Sequence, residues 1–247
     1  MRPSLFRLIL RIGIFFFVMT IYPQEASETQ DSQVFLYDTL QIKFPKVYWF
    51  NSYKFEIGNY AKGRSKSKPT SVSHNSKKGV EEALTTSKFS ITLENLDSKT
   101  SLIEGEFVRL EHYIVQRENL LENLTGIESE STEMLDLSQQ KKGTITSNYP
   151  NGEPWEIVLI ESTSLDNAKE QIALLRSASR TIELVPISGS TNFIDLGIFT
   201  YDQFEFIENG ILIGKLDKES GHKIILQKNI DPYTRLIVIS AMMFIYG

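Results

Sequence analysis

The sequence predicts a mostly β (α+β) fold: an antiparallel β-barrel enclosing a hydrophobic C-terminal helix, with one or two peripheral helices. Three observations carry this reading. Short segments rich in β-branched and aromatic residues recur from residue 34 to residue 228, with turn residues between them. Asn209-Gly210 separates two such segments by two residues, the signature of a tight hairpin. Residues 236–246 (LIVISAMMFIY) are apolar on every side, and a helix of that kind needs apolar partners in all directions.

The segments run as follows. Residues 34–44 (VFLYDTLQIKF) and 47–57 (VYWFNSYKFEI) read as two strands around Pro45. Residues 62–79 contain six basic side chains, Lys62, Arg64, Lys66, Lys68, Lys77 and Lys78, with no acid and almost nothing apolar, which predicts a disordered loop. Strand signals resume at 88–96, where Phe89, Ile91 and Leu93 alternate with polar neighbours, and at 102–108. Over 108–126 two patterns compete: Val108, Leu110, His112 and Ile114 alternate as in a strand, while Leu110, Ile114, Leu121 and Leu124 form a helical stripe ending at Gly126. The preferred reading is strand, then helix. Residues 128–136 read as an acidic connection, and 143–148 and 155–161 as strands around the turn Tyr149-Pro150-Asn151-Gly152. Ala168, Ile172, Leu175 and Ser179 share one helical face, with Ser164 as a cap, predicting an amphipathic helix on the outside of the sheet. From 181 onward the chain reads as a meander of strands at 181–185, 193–199, 203–208, 211–216 and 223–228, with a turn closed by Gly221. No tandem repeat of fixed period is present, which argues against a propeller or solenoid.

Asp231 and Pro232 then suit the N-cap and first position of a helix. Burying the large apolar side chains that follow is worth on the order of 15–30 kcal/mol, so this segment cannot stay wet. Eleven helical residues reach only about 17 Å, short of the roughly 30 Å of a bilayer core. A buried strand is the rival reading, given Ile237-Val238-Ile239. A helix surrounded by a curled sheet fits a chain so rich in strands better.

The hairpin arms Phe204-Glu205-Phe206-Ile207 and Ile211-Leu212-Ile213-Gly214 around Asn209-Gly210, followed by Asp231-Pro232 and an apolar helix, resemble the end of the tubby-like barrel superfamily. That group includes the tubby C-terminal domain, the plant LURP-one-related proteins and the phospholipid scramblases. The resemblance covers residues 181–247 and implies a twelve-stranded barrel around a central C-terminal helix. The family's phosphoinositide-binding basic residues have no matching positions here, and the cysteine cluster of animal scramblases is missing. The resemblance therefore implies fold and not activity.

Composition narrows the function. The net charge is −5, whereas binding that neutralises nucleic-acid phosphates shows as an excess of Lys and Arg; no nucleic-acid partner is expected. The chain has no cysteine, which excludes disulfides, thiol nucleophiles, zinc-thiolate sites and lipid attachment at a cysteine. Arg2, Arg7 and Arg11, the apolar run 12–22 and polar Gln24-Glu25-Ala26-Ser27 follow the order of a secretory signal. Ala26 suits the cleavage position and Gln24 does not, so an uncleaved anchor and a buried apolar element stand beside the cleaved signal. The expected layout is a signal peptide or anchor over 1–26, a polar spacer over 27–33 and one barrel-like domain over 34–247. The protein is expected to be exported, whether periplasmic, secreted or anchored by its N-terminus.

No motif announces chemistry. His74, His112 and His222 are not in a metal-binding spacing, Ser188-Gly189-Ser190 fails the nucleophile-elbow pattern, and phosphate-cradling glycine loops do not occur. No catalytic residue, cofactor or metal is expected, and each histidine reads as solvent-exposed. Glu104, Glu106, Glu128, Glu130, Glu133, Asp136, Glu153 and Glu156 leave a paired-carboxylate glycan hydrolase as one reading, although the 128–136 cluster reads as a solvated face. Asn123-Leu124-Thr125 matches the N-glycosylation pattern and carries no weight. Lys62, Arg64, Lys66, Lys68, Lys77 and Lys78 are the candidate contacts to an anionic membrane surface. The function expected is therefore a non-enzymatic exported domain that binds membrane lipid or another envelope component. The alternatives are a protein-partner module, with Trp49 and Tyr53 as contacts if they face outward, and the glycan hydrolase.

Overall fold

Short turns between strands of alternating burial build one antiparallel sheet that closes on itself. The computed structural model describes residues 36–44, 52–77, 80–117, 130–163, 169–189 and 201–246. All of these fall within the unit Leu36–Gly247; the other unit, Met1–Phe35, lies outside them, and with it the expected signal segment. Thirteen strands follow in order: β1 (Tyr37–Lys43), β2 (Ser52–Ile57), β3 (Ala61–Ser67), β4 (Ser71–Lys77), β5 (Val80–Asn95), β6 (Thr100–Arg117), β7 (Glu130–Ser147), β8 (Trp155–Thr163), β9 (Lys169–Arg176), β10 (Thr181–Gly189), β11 (Tyr201–Glu208), β12 (Ile211–Asp217) and β13 (Lys223–Gln227). The helix α1 (Pro232–Tyr246) comes last.

Twelve of the strands form a closed barrel. Around the ring the order is β3, β2, β1, β13, then down through β12 to β5, and β5 pairs back onto β3. The β1–β13 ladder, Tyr37 against Gln227 to Gln41 against Lys223, joins the two ends of the described chain. β5 is long enough for two partners: Phe89 to Asn95 pair with β3, and Val80 to Thr86 pair with β4, which stands outside the ring. Closure gives each of the twelve ring strands a partner on both sides, which is the structural benefit of a barrel.

The hairpin at 209–210 forms as the sequence predicts, with φ of +51° at Asn209 and +76° at Gly210. The 149–152 turn also forms; the Gly152 N–H donates to the Tyr149 carbonyl over 3.0 Å. Asp231 caps α1, its Oδ1 accepting the Thr234 N–H at 2.9 Å. Residues 236–246 are thus helical and not a strand, and Leu236 to Ile245 are all buried. No helix among the described residues is long and apolar enough to cross a membrane. Ser240, the one polar residue in that run, donates to the Leu236 carbonyl at 2.7 Å and meets Ser101 Oγ at 2.6 Å. No polar atom of its side chain is left unpaired in the core.

The walls are shaped to the helix. Gly105 of β6 and Gly143 of β7 lie opposite each other in register. A Cβ on Gly143 would come within 2.6 Å of the Phe244 ring, and one on Gly105 within 2.9 Å of it. At the other end Tyr233 OH donates to the Glu153 carbonyl (2.7 Å) and accepts from Trp155 Nε1 (2.8 Å). Arg180 lies over the Trp155 ring at 5.4 Å, forks onto Glu208 and donates to Thr234 Oγ1 at 2.8 Å. Arg235 donates to Asp38 at 2.9 Å. These bonds fix the helix start to β1, to β8 and, through Arg180, to β11.

Three sequence expectations are overturned. Residues 62–79 are not a disordered loop: they supply β3 and β4, interrupted at Lys68-Pro69-Thr70, while residues 78–79 lie outside the described residues. β3 succeeds as a strand because it is paired on both sides and its alternation buries Ala61 and Ser65 while Lys62, Arg64 and Lys66 stay in water. The amphipathic helix at 168–179 is strand β9 over residues 169–176, bonded to β8 and β10 on either side. Pairing there outweighs the helix preference of Lys, Glu, Gln, Ala and Leu, and buries Leu175 while Ile172 faces out. Much of the acidic connection at 128–136 is the start of β7, which begins at Glu130. Over 108–117 the strand pattern prevails. The helix to Gly126, the strand at 193–199, and Pro45 and Trp49 lie outside the described residues.

Gly143→Ala is expected to lower stability by about 1–3 kcal/mol, since its Cβ would meet the fully buried Phe244 ring at 2.6 Å and the Glu104 carbonyl at 3.0 Å, and one of them must shift. Urea denaturation measures it, and an unchanged midpoint would contradict the close packing of α1 on β6 and β7. Asp231→Ala is expected to cost about 0.5–2 kcal/mol in the same assay through loss of the cap.

Candidate functional site: a cation-bearing cavity

Period-two alternation decides which side chains the long strands turn toward the core. On β6 that face is Ser101, Ile103, Gly105 and Phe107, and it continues as Arg109 and Glu111. On β7 it is Ile145, Gly143, Lys141 and Gln139. The apolar surface beside Phe244 thus gives way, along the same rows, to polar groups. Register places Phe107 opposite Lys141 and Arg109 opposite Gln139, with Ser87 and Thr85 of β5 beside Phe107 and Arg109.

These rows enclose a cavity of about 450 Å³. Its aromatic wall is Tyr53, Phe89 and Phe107, and hydroxyls come from Ser65, Ser67, Thr70, Thr85 and Ser87. Arg109, Glu111 and Lys141 supply the charge. Ser67 and Thr70, at the break between β3 and β4, are exposed and form its rim.

Lys141 dominates the electrostatics. It is only 2% exposed, and its Nζ lies 5.0 Å from the centres of both the Phe89 and Phe244 rings. No carboxylate pairs with it among the described residues. Burial pushes its amine down to about 7, and the like charge of Lys218 adds to the effect. Lys218 is itself lowered by burial. Arg109 and Glu111 form an ion pair, yet Arg109 Nε and Gln139 Oε1 are buried without a hydrogen-bond partner. Arg109 lines the cavity, so its unpaired donor marks where a ligand's polar atom gains most; Gln139, across the ladder from it, is not part of the lining.

The residues singled out in the sequence fall elsewhere. Lys62, Arg64 and Lys66 line up on the outward face of β3; Lys62 pairs with Glu56 at 3.6 Å and Arg64 donates to Ser52 Oγ at 3.1 Å. Lys68 and Lys77 are exposed, and Lys78 lies outside the described residues. β3 therefore carries basic side chains outward and cavity hydroxyls, Ser65 and Ser67, on the opposite face. Tyr53 is no outward anchor: it lines the cavity and packs edge-on against Phe44 at 5.9 Å.

His74 is exposed on β4. His222 packs against Phe44 and meets Tyr246 OH at 2.5 Å. His112 departs from the solvent-exposed reading: on adjacent strands, its Nδ1 meets Asp136 at 2.9 Å and its Nε2 meets Glu82 at 3.1 Å. Glu104 and Glu106 are exposed, Glu153 accepts from Ser177 and Ser179, and Glu156 pairs with Arg176. No group of three or more His, Cys, Asp and Glu among the described residues is placed to hold a metal ion. Lys141, Arg109 and Gln139 were missed because a search for apolar alternation follows Val108, Leu110 and Ile114, the opposite face of β6. Phe107, Arg109 and Glu111 at spacing two were the available signal.

Two titrations test these assignments. Lys141 is protonated in the unfolded chain up to about pH 10.5 but loses its proton near 7 when folded, so its burial costs stability at neutral pH and the cost fades as pH rises toward 10.5. Lys141→Met is expected to be more stable at pH 7 by about 2–4 kcal/mol in urea denaturation, with the gap closing toward pH 10.5. His112 is raised by its hydrogen bonds to Asp136 and then Glu82, with burial opposing. Its contribution is full below about pH 6.5 and lost as pH climbs through the raised value. Asp136→Asn is expected to bring the NMR titration midpoint of His112 down; an unmoved midpoint would remove Asp136 as the main partner.

No family model matches the chain, and neither a curated protein nor a solved structure matches it.

Proposed function

We propose that this chain is a non-enzymatic, exported binding domain of the cell envelope, whose cavity receives the anionic head of an amphiphile such as a membrane lipid. The observation that carries the reading is Lys141: a buried amine without a carboxylate partner, beside the unpaired Arg109 Nε, at one end of an aromatic and hydroxyl-lined cavity. Holding such a cation apart from water is costly, and an incoming anion offsets that cost. Phe89 and Phe107 offer apolar contact to the rest of the ligand, and the outward row Lys62, Arg64 and Lys66 suits an anionic bilayer. The glycan-hydrolase reading has less support, since among the described residues Glu111 is the one carboxylate lining this cavity and glycoside hydrolysis uses two.

The same reading takes the barrel to close around α1, in the manner of the tubby-like superfamily. Support comes from the unbroken burial of Leu236 to Ile245 and from the strands α1 touches. Among these are β5, β6 and β7 on one side and β13 on the other, and β7 and β13 stand six places apart in a ring of twelve.

Co-sedimentation with phosphatidylglycerol vesicles, against phosphatidylcholine vesicles, tests the function. Binding is expected only to the anionic vesicles, weakened about tenfold or more by Lys141→Met and by roughly fivefold for each of Lys62, Arg64 and Lys66 changed to Gln. It is expected to weaken as pH rises through about 7, where the free amine loses its proton. Equal sedimentation with both vesicle types overturns the reading.

A further inference from the structure

We propose that Lys141 is also a covalent capture site for a small aldehyde, its amine condensing with a carbonyl group that enters the cavity to form an imine. An amine is a nucleophile only when unprotonated, and proteins hold it so by desolvating it or by setting another cation nearby. Both conditions meet at Lys141. Its side chain is 2% exposed between the rings of Phe89 and Phe244, the like charge of Lys218 acts on it, and the cavity's other charges, Arg109 and Glu111, are paired with each other. The amine is not sealed in: it lines the cavity whose rim is the exposed Ser67 and Thr70. About 450 Å³ accommodates a small aromatic or branched aliphatic aldehyde, and the phenylalanine rings favour an apolar body over a sugar. Burial that brings the amine to about 7 leaves half of it neutral at physiological pH, where an exposed lysine is almost wholly charged.

The chemistry balances without an oxidant or reductant. The Nζ lone pair bonds to the carbonyl carbon while the C=O π pair moves to oxygen, and a proton passes from nitrogen to that oxygen to give a carbinolamine. The carbon–oxygen bond then breaks, the oxygen departs as water with a second nitrogen proton, and the nitrogen lone pair closes the C=N bond.

This inference stands apart from anion binding, and the full-length protein distinguishes the two. Benzaldehyde with sodium cyanoborohydride, which reduces the imine to a stable benzylamine, is followed by peptide mass spectrometry. Lys141 is expected to be labelled on the order of tenfold faster than any surface lysine at pH 7, and its rate is expected to level off just above pH 7 while surface lysines continue to gain up to about pH 10. Lys141→Arg removes the nucleophile: the fast adduct is expected to vanish while labelling of the surface lysines continues, and because labelling is read without any vesicle its outcome is independent of the lipid assay. The unsubstituted protein gives the decisive profile if that variant does not fold. Labelling spread evenly over the lysines, a Lys141 rate that follows the surface lysines with pH, or no adduct at Lys141 overturns the proposal.

Discussion

The burial of α1 is the constraint from which most of the molecule follows. Ten consecutive residues, Leu236 to Ile245, have no exposed face, so every direction around the axis must offer apolar or carefully paired atoms. Strands supply such a surface at low cost in polar groups, because their backbone bonds run within the sheet and only one face is presented. The glycines opposite Phe244, the Ser101–Ser240 contact and the network of Arg180, Trp155, Tyr233 and Glu153 are local solutions to the same demand. The first makes room, the second removes an unpaired hydroxyl, and the third anchors the end where the helix meets solvent.

The cavity is what remains where that demand stops. β5, β6 and β7 extend well past the last turn of α1, and their core-side rows keep going after the helix has ended. With no apolar helix to cover, those rows change composition, from Gly105 and Phe107 to Arg109 and Glu111, and from Gly143 to Lys141 and Gln139. Length beyond the helix therefore gives the site its depth, and the neighbouring rings give Lys141 its low-dielectric surroundings.

Much of the β architecture was legible in the sequence because it rests on local signals: positive-φ residues at Asn209-Gly210, alternation at Phe89, Ile91 and Leu93, and the Asp231-Pro232 helix start. What was illegible depends on partners distant in the chain. β3 has too few apolar residues to look like a strand and is one because β2 and β5 flank it; β9 has helix-favouring residues and is a strand because β8 and β10 flank it. The site was hidden for a related reason. A charged residue on a core-facing row contradicts the usual reading of alternation, so Arg109 and Lys141 looked like solvent-facing positions until register placed them beside Phe107 and Phe89.

The β1–β13 ladder has a consequence for how the chain reaches this state. Tyr37 finds Gln227 across almost the whole described chain, and α1 follows every described strand. Hairpins such as β11–β12 can assemble early, from neighbours, but the ring lacks its seam until β13 has emerged, and the buried apolar helix α1 comes later still. Loop-closure entropy opposes that last step and nothing local repays it in advance. Acquisition of the core is thus a late, all-or-none event, and a chain halted before residue 232 would hold greasy sheet faces with nothing to cover them, the condition in which holdase chaperones are needed.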